Sequence, residues 1–111
     1  MRIDLHDAGQ MSARLSLEAF AGTGDGQGGT DGAYAPVAAL WARIEPVSMA
    51  AEERSGEDVA VVTHRIWLRF RHDVVSGMRL TGAGRVFSVR ATIDPDETRR
   101  FLVCLCREER P

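Results

Sequence analysis

The 111-residue sequence predicts an all-β fold: a small β-barrel or sandwich of five to six antiparallel strands, with one short helix or helical turn and long flexible loops. Three observations predict it. Polar and apolar residues alternate with a period of two in several stretches, turn-forming residues separate those stretches, and neither a heptad nor an internal repeat is present.

Residues 1–11 carry little apolar pattern and are expected to form an arm, mobile unless a neighbour pins it down, ahead of one domain over 12–111. From Ala13 to Phe20 the order Arg14-Leu15-Ser16-Leu17-Glu18 predicts a half-buried strand with Leu15 and Leu17 inward. Residues 22–32 hold six Gly and two Asp, too flexible and too polar to pack, and read as a long hairpin loop. Tyr34 to Glu45 is the second strand, with Val37, Leu40, Trp41 and Ile44 as its apolar residues, closed by Pro46 because proline cannot donate to a sheet ladder. Ser48 to Asp58 suits a single helical turn or a loop.

Val59 to His72 is the third strand. Ala60, Val62, His64, Ile66, Leu68, Phe70 and His72 make its core face, opposite Val59, Val61, Thr63, Arg65, Trp67, Arg69 and Arg71. Fourteen extended residues span roughly 45 Å, so this strand is expected to bend or project. Met78 to Thr81 is a short strand, reversed at Gly82-Ala83-Gly84 into Val86 to Ile93. Asp94-Pro95-Asp96-Glu97 combines an N-cap, a first-turn proline and a Glu three residues on, predicting a short helical turn through Arg100. Phe101 to Cys106 is the last strand, with Leu102, Cys104 and Cys106 on one face.

Composition excludes several classes. With 44% hydrophobic and 27% charged residues the chain is of ordinary globular type and can bury one core without a metal or disulfide staple. A net charge of −2 argues against a general nucleic-acid coat, which depends on Lys and Arg neutralising phosphates. The charge is unevenly spread: residues 1–62 hold four Arg against ten acids, net −6, and residues 63–111 ten Arg against six, net +4. No apolar stretch approaches the ~20 residues a membrane helix needs. Acids stand at the N-terminus where a secretory signal has its apolar run, so a cytoplasmic product is expected.

Few residue sets suit chemistry. Gly24-Asp25-Gly26-Gln27-Gly28-Gly29 fits G-x-G-x-x-G, but a strand follows where the dinucleotide motif needs a helix N-terminus. Asp25 and Asp31 lack the alternating oxygen ligands of a calcium loop. Cys104 and Cys106, two apart on one strand, diverge too far for a relaxed mutual disulfide and read as core thiols; His64 and His72, eight positions apart on one strand, cannot share a zinc site. Asp94, Asp96 and Glu97 are explained by the cap, so no catalytic residue and no cofactor is expected. The row Arg65, Trp67, Arg69 and Arg71 has two readings. It matches the basic, stacking surface of a single-strand nucleic-acid-binding barrel, or its arginines pair with acids of a neighbouring strand or subunit, the reading favoured here.

A family resemblance is carried by five pieces in order: Val37-Ala-Ala-Leu-Trp41-Ala-Arg-Ile-Glu-Pro46; Thr63-His64-Arg65-Ile66 with Leu68-Arg69-Phe70-Arg71; Gly77-Met78-Arg79-Leu80; Gly84-Arg85-Val86-Phe87-Ser88-Val89; and Ile93-Asp94-Pro95-Asp96-Glu97. Over about Leu15 to Glu109 the chain resembles the phage head-tail joining family, the head-completion or stopper proteins of long-tailed phages and gene transfer agents. The usual Leu-Arg-His opening is absent, and the Gly-rich loop also departs from the family pattern.

The resemblance implies a non-enzymatic β-barrel that assembles into a six- or twelve-membered ring below the portal. Its partners would be a portal or adaptor protein on the head side and a tail terminator or other tail protein on the far side. DNA would pass through the ring without specific binding and no membrane would be involved. The protein would move from the cytoplasm into the neck of the virion. The family's channel-facing loop matches Ser48 to Asp58, where Glu52, Glu53, Glu57 and Asp58 against Arg54 give a net −3 that repels the phosphate backbone. Arg65, Trp67, Arg69 and Arg71 are then subunit-interface candidates. The unequal halves would supply complementary charge, and the long third strand an exposed edge, for head-to-tail contacts.

Overall fold

The computed structural model describes residues 11–21, 33–49 and 61–109. Most of the expected arm, the Gly-rich loop and the acidic loop residues Glu52, Glu53, Arg54, Glu57 and Asp58 lie outside the described residues. Six antiparallel strands, β1 (Ala13–Phe20), β2 (Tyr34–Met49), β3 (Val62–Arg69), β4 (Arg79–Gly82), β5 (Arg85–Ile93) and β6 (Phe101–Glu109), close into a barrel in the order β1-β2-β3-β6-β5-β4.

Each strand follows from its alternation, and each departure from expectation has a local cause. β1 and β2 pair from Ala13↔Ala42 to Phe20↔Tyr34, and Ala21 N–H donates to the Ala33 carbonyl at 2.8 Å, so the Gly-rich segment is flanked as a hairpin loop should be. The ladder slips between Leu17↔Ala38 and Glu18↔Pro36, leaving Val37 as the extra residue beside a proline that has no N–H to offer. Pro46 does not end β2. The strand absorbs it as an irregularity between Pro46↔His64 and Met49↔Val62 and runs to Met49.

The third strand is shorter than its alternation suggests. β3 stops at Arg69, where Phe70 N–H turns to the Arg100 carbonyl at 3.1 Å, so the sixteen-residue β2 is the long strand. β3 is paired on both sides, by β2 and β6, and exposes no edge for a neighbour. The expected helical turn after Asp94 is also absent among the described residues. Asp94 does cap, its carbonyl accepting from Glu97 N–H and its Oδ2 from Arg99 N–H, but Glu97 (φ 59°) and Arg99 (φ 61°) take left-handed conformations that stop a helix from starting. The hairpin between β4 and β5 turns on Ala83 (φ 52°) and Gly84 (φ 77°), the two left-handed residues that match strand twist.

The inner face carries the core. Leu15, Leu17, Ala42, Ile66, Leu68, Leu80, Phe87, Val89, Leu102, Cys104 and Cys106 fill the barrel, with Val74 and Met78 packed against them. Each large apolar side chain taken fully out of water contributes about 1.5–3 kcal/mol. Burial pushes the Cys104 thiol up to about 12 and raises that of Cys106 as well, so both remain protonated packing groups.

Candidate functional site

The outer wall of β3 follows the alternation read from sequence, with Arg65, Trp67 and Arg69 outward and Arg71 two residues past the strand end. They do not form one surface. Trp67 is only 8% exposed, and its indole N–H donates to Oε1 of Glu45 at 3.1 Å. Glu45, directly across the ladder from Arg65, is itself buried and has the Arg65 guanidinium 3.9 Å from the same oxygen. A carboxylate taken out of water needs such partners, and this triplet supplies them. Beside it, Trp67, Arg65, Ile93, Pro95, Val103 and Leu105 surround a mostly apolar hollow of about 270 Å³. Trp67 is therefore part of a wall and cannot act as a base-stacking platform.

The remaining two arginines differ. Arg71 makes a two-pronged bond to Asp73, Nε to Oδ1 and Nη2 to Oδ2, both at 2.9 Å, which holds the Asp73 carboxyl below its usual range. Arg69 is exposed and, among the described residues, has no acidic partner. Of the expected pairing with acids of a neighbouring strand, Arg65 shows it with Glu45, whereas Arg71 pairs locally with an acid two residues along its own segment.

The exposed aromatic and basic surface centres on Trp41 of β2 instead. Trp41 is 53% exposed, and Arg14, its register partner on β1, lays its guanidinium 4.9 Å from the ring centre. An open groove of about 700 Å³ runs beside it, with Leu40, Trp41 and Phe70 as apolar lining and Arg14, Arg69 and Arg71 as cations; Met11 stands at one side. Sequence reading placed Trp41 in an apolar run and passed over it. The signal was available: Trp41 shares its parity with Arg43 and Glu45 and opposes that of Ala42 and Ile44, so it faces outward.

A second cluster joins β3, β5 and β6. His64 Nδ1 lies 2.8 Å from the Thr63 hydroxyl, while Nε2 lies 3.4 Å from Arg85 and 3.8 Å from Glu108. Arg85 and Glu108 bond in two-pronged fashion at 2.8 and 3.1 Å, and Thr63 Oγ1 accepts from Glu108 N–H at 2.7 Å. The His64 ring meets Phe87 edge-on. Burial pulls the imidazole below its ordinary 6.5, Glu108 opposing and Arg85 adding to the shift. These side chains bond one another across three strands, an arrangement that staples them. Among the described residues no three His, Cys, Asp or Glu side chains gather as metal ligands would.

This barrel has relatives among known proteins. No protein of curated function matches the sequence. The chain is similar to a solved component of the virion of a native gene transfer agent particle, at 26% identity over 87% of this chain and 93% of that one, with a TM-score of 0.65. It is also similar to protein SF1141 of Shigella flexneri 2a, at 31% identity over 92% of this chain and 96% of that one, again with a TM-score of 0.65. The family model for phage head completion proteins matches residues 6–109, which takes in all six strands. This closed six-stranded barrel, matched along nearly its whole length, belongs to the phage head completion protein family.

Proposed function

We propose that this protein is a head-tail connector of stopper or head-completion type, forming a six- or twelve-membered ring that joins a portal-adaptor complex to a tail and continues the DNA channel. The observation that carries the reading is the family match over residues 6–109, supported by the likeness to a gene transfer agent virion component. Within it, residues 12–111 act as one head-tail joining barrel domain, and the protein acts by shape without bond-making.

In this reading the 48–58 segment approaches the channel. Glu52, Glu53, Glu57 and Asp58 against Arg54 leave it at −3, so passing DNA is repelled while the loop narrows the bore. Among the described strands the barrel closes on itself, so contacts that these strands make between copies come from their side chains. Arg65, at the rim of the apolar hollow, and Arg69 are the members of the β3 row best placed for them. Trp67 supports such a contact from behind, and Arg71 reaches it while held by Asp73.

Electron microscopy of particles from a strain lacking the gene tests the role. Filled heads beside free tails are expected; normal tailed particles overturn it. The alternative, a single-strand nucleic-acid-binding barrel, is favoured by the Trp41 surface alone. It requires salt-sensitive oligonucleotide affinity that Trp41→Ala weakens, whereas the connector requires weak affinity unaffected by that change.

A further inference from the structure

The groove beside Trp41, about 700 Å³ in volume, combines an apolar floor with cations, so its natural occupant is a peptide bearing both large apolar and acidic side chains. The chain's charge is divided in the same sense. Residues 11–21, 33–49 and 61–109 hold eleven Arg against eight acids, net +3, and the rest of the chain holds three Arg against eight acids, net −5.

Of the segments outside the barrel, one fits. Residues 22–32 carry acids but no large apolar side chain, 50–60 carry acids with Val59 standing apart at their far end, and 110–111 are Arg-Pro. Residues 1–10 carry Ile3 and Leu5 interleaved with Asp4 and Asp7. They also join the barrel at the right place, since Met11 and Ser12, the next residues of the chain, line this groove. Ten residues extended at about 3.3 Å each reach roughly 33 Å, ample to cross it, and attachment at its edge gives a high effective concentration.

We infer that residues 1–10 dock in the Trp41 groove of their own chain, Ile3 and Leu5 against Trp41, Leu40 and Phe70, and Asp4 and Asp7 against Arg14 and Arg69. This stands on the groove and the sequence and does not depend on the connector reading.

Acrylamide quenching of tryptophan emission in the full chain reads the contact, because Trp67 is buried and Trp41 is not. Docking predicts that Asp4→Arg combined with Asp7→Arg raises the quenching constant about twofold, and that ~1 M salt, where the screening length is about 3 Å, raises it in the unsubstituted chain. Trp41→Ala must abolish both rises. Adding a synthetic peptide of residues 1–10 to the doubly substituted chain must restore protection. Equal quenching in the substituted and unsubstituted chains overturns the inference. So does protection that disappears on dilution, which would make a second copy the source of the segment.

Discussion

The two walls of the barrel are built differently. On the β3–β6 wall three outward-pointing apolar side chains are buried along with the inward ones: Trp67, Phe101 and Val103 are each under 9% exposed. On the β1–β2 wall the outward-pointing Phe20, Val37 and Trp41 are each close to half exposed. The inner faces are equally apolar, so the difference lies in what covers the outside. The first wall carries the Glu45–Trp67–Arg65 triplet and the Ile93–Pro95 segment over it. Among the described residues the second carries side-chain pairs such as Arg14 on Trp41 and Phe20 edge-on to Tyr34. Among the described residues one wall is covered and the other is open.

Substitutions at matched residues test this contrast. Phe101→Ala is expected to cost about 3–5 kcal/mol in urea unfolding, whereas Phe20→Ala costs about 1 kcal/mol, its edge contact with Tyr34 being most of what is lost. Equal losses would erase the distinction. Glu45→Ala should cost about 1–3 kcal/mol by stranding the Trp67 N–H, with a red-shifted emission from that indole as a second readout. Gly82→Ala probes the seam where β4 meets β1. A Cβ there would stand 2.6 Å from the Arg14 carbonyl and 2.7 Å from Leu15 Cδ2, and relief by backbone movement is expected to cost about 1–3 kcal/mol.

The smallest effect is on pH. His64 has a lower pKa folded than unfolded, so between the two values the unfolded chain binds more protons. The stability this group protects is present above the ordinary value of 6.5 and is lost as pH falls through the window below it. A modest decline in urea midpoint below pH 6.5, flattened by His64→Gln, is the expected outcome; an unchanged slope in that variant would remove His64 as the cause.

Much of the fold was legible because period-two alternation survives wherever one face of a strand is wet. β1 was read to its boundaries, and Leu15 and Leu17 to their side. Strand ends were less legible, since they depend on distant partners. Nothing local to Phe70 announces a bond to the Arg100 carbonyl, and nothing at Pro46 says that the strand continues past it. The turn after Asp94 misled because its cap is genuine while its left-handed Glu97 and Arg99 are not written in residue type. At the candidate site, the parity of Arg65, Trp67 and Arg69 was readable but their burial was not. Whether an outward residue is covered depends on chain returning from elsewhere, which is why Trp67 and Trp41 exchanged the roles their neighbours suggested.

The full-circle hydrogen-bond ladder has a consequence for life at high concentration. Many copies of a virion component are made together, and an all-β chain with an open sheet edge would offer each newcomer a template for fibril growth. Here the pairing of β1 with β4 leaves the sheet without a terminal strand, so crowding favours contacts set by surface shape over runaway stacking.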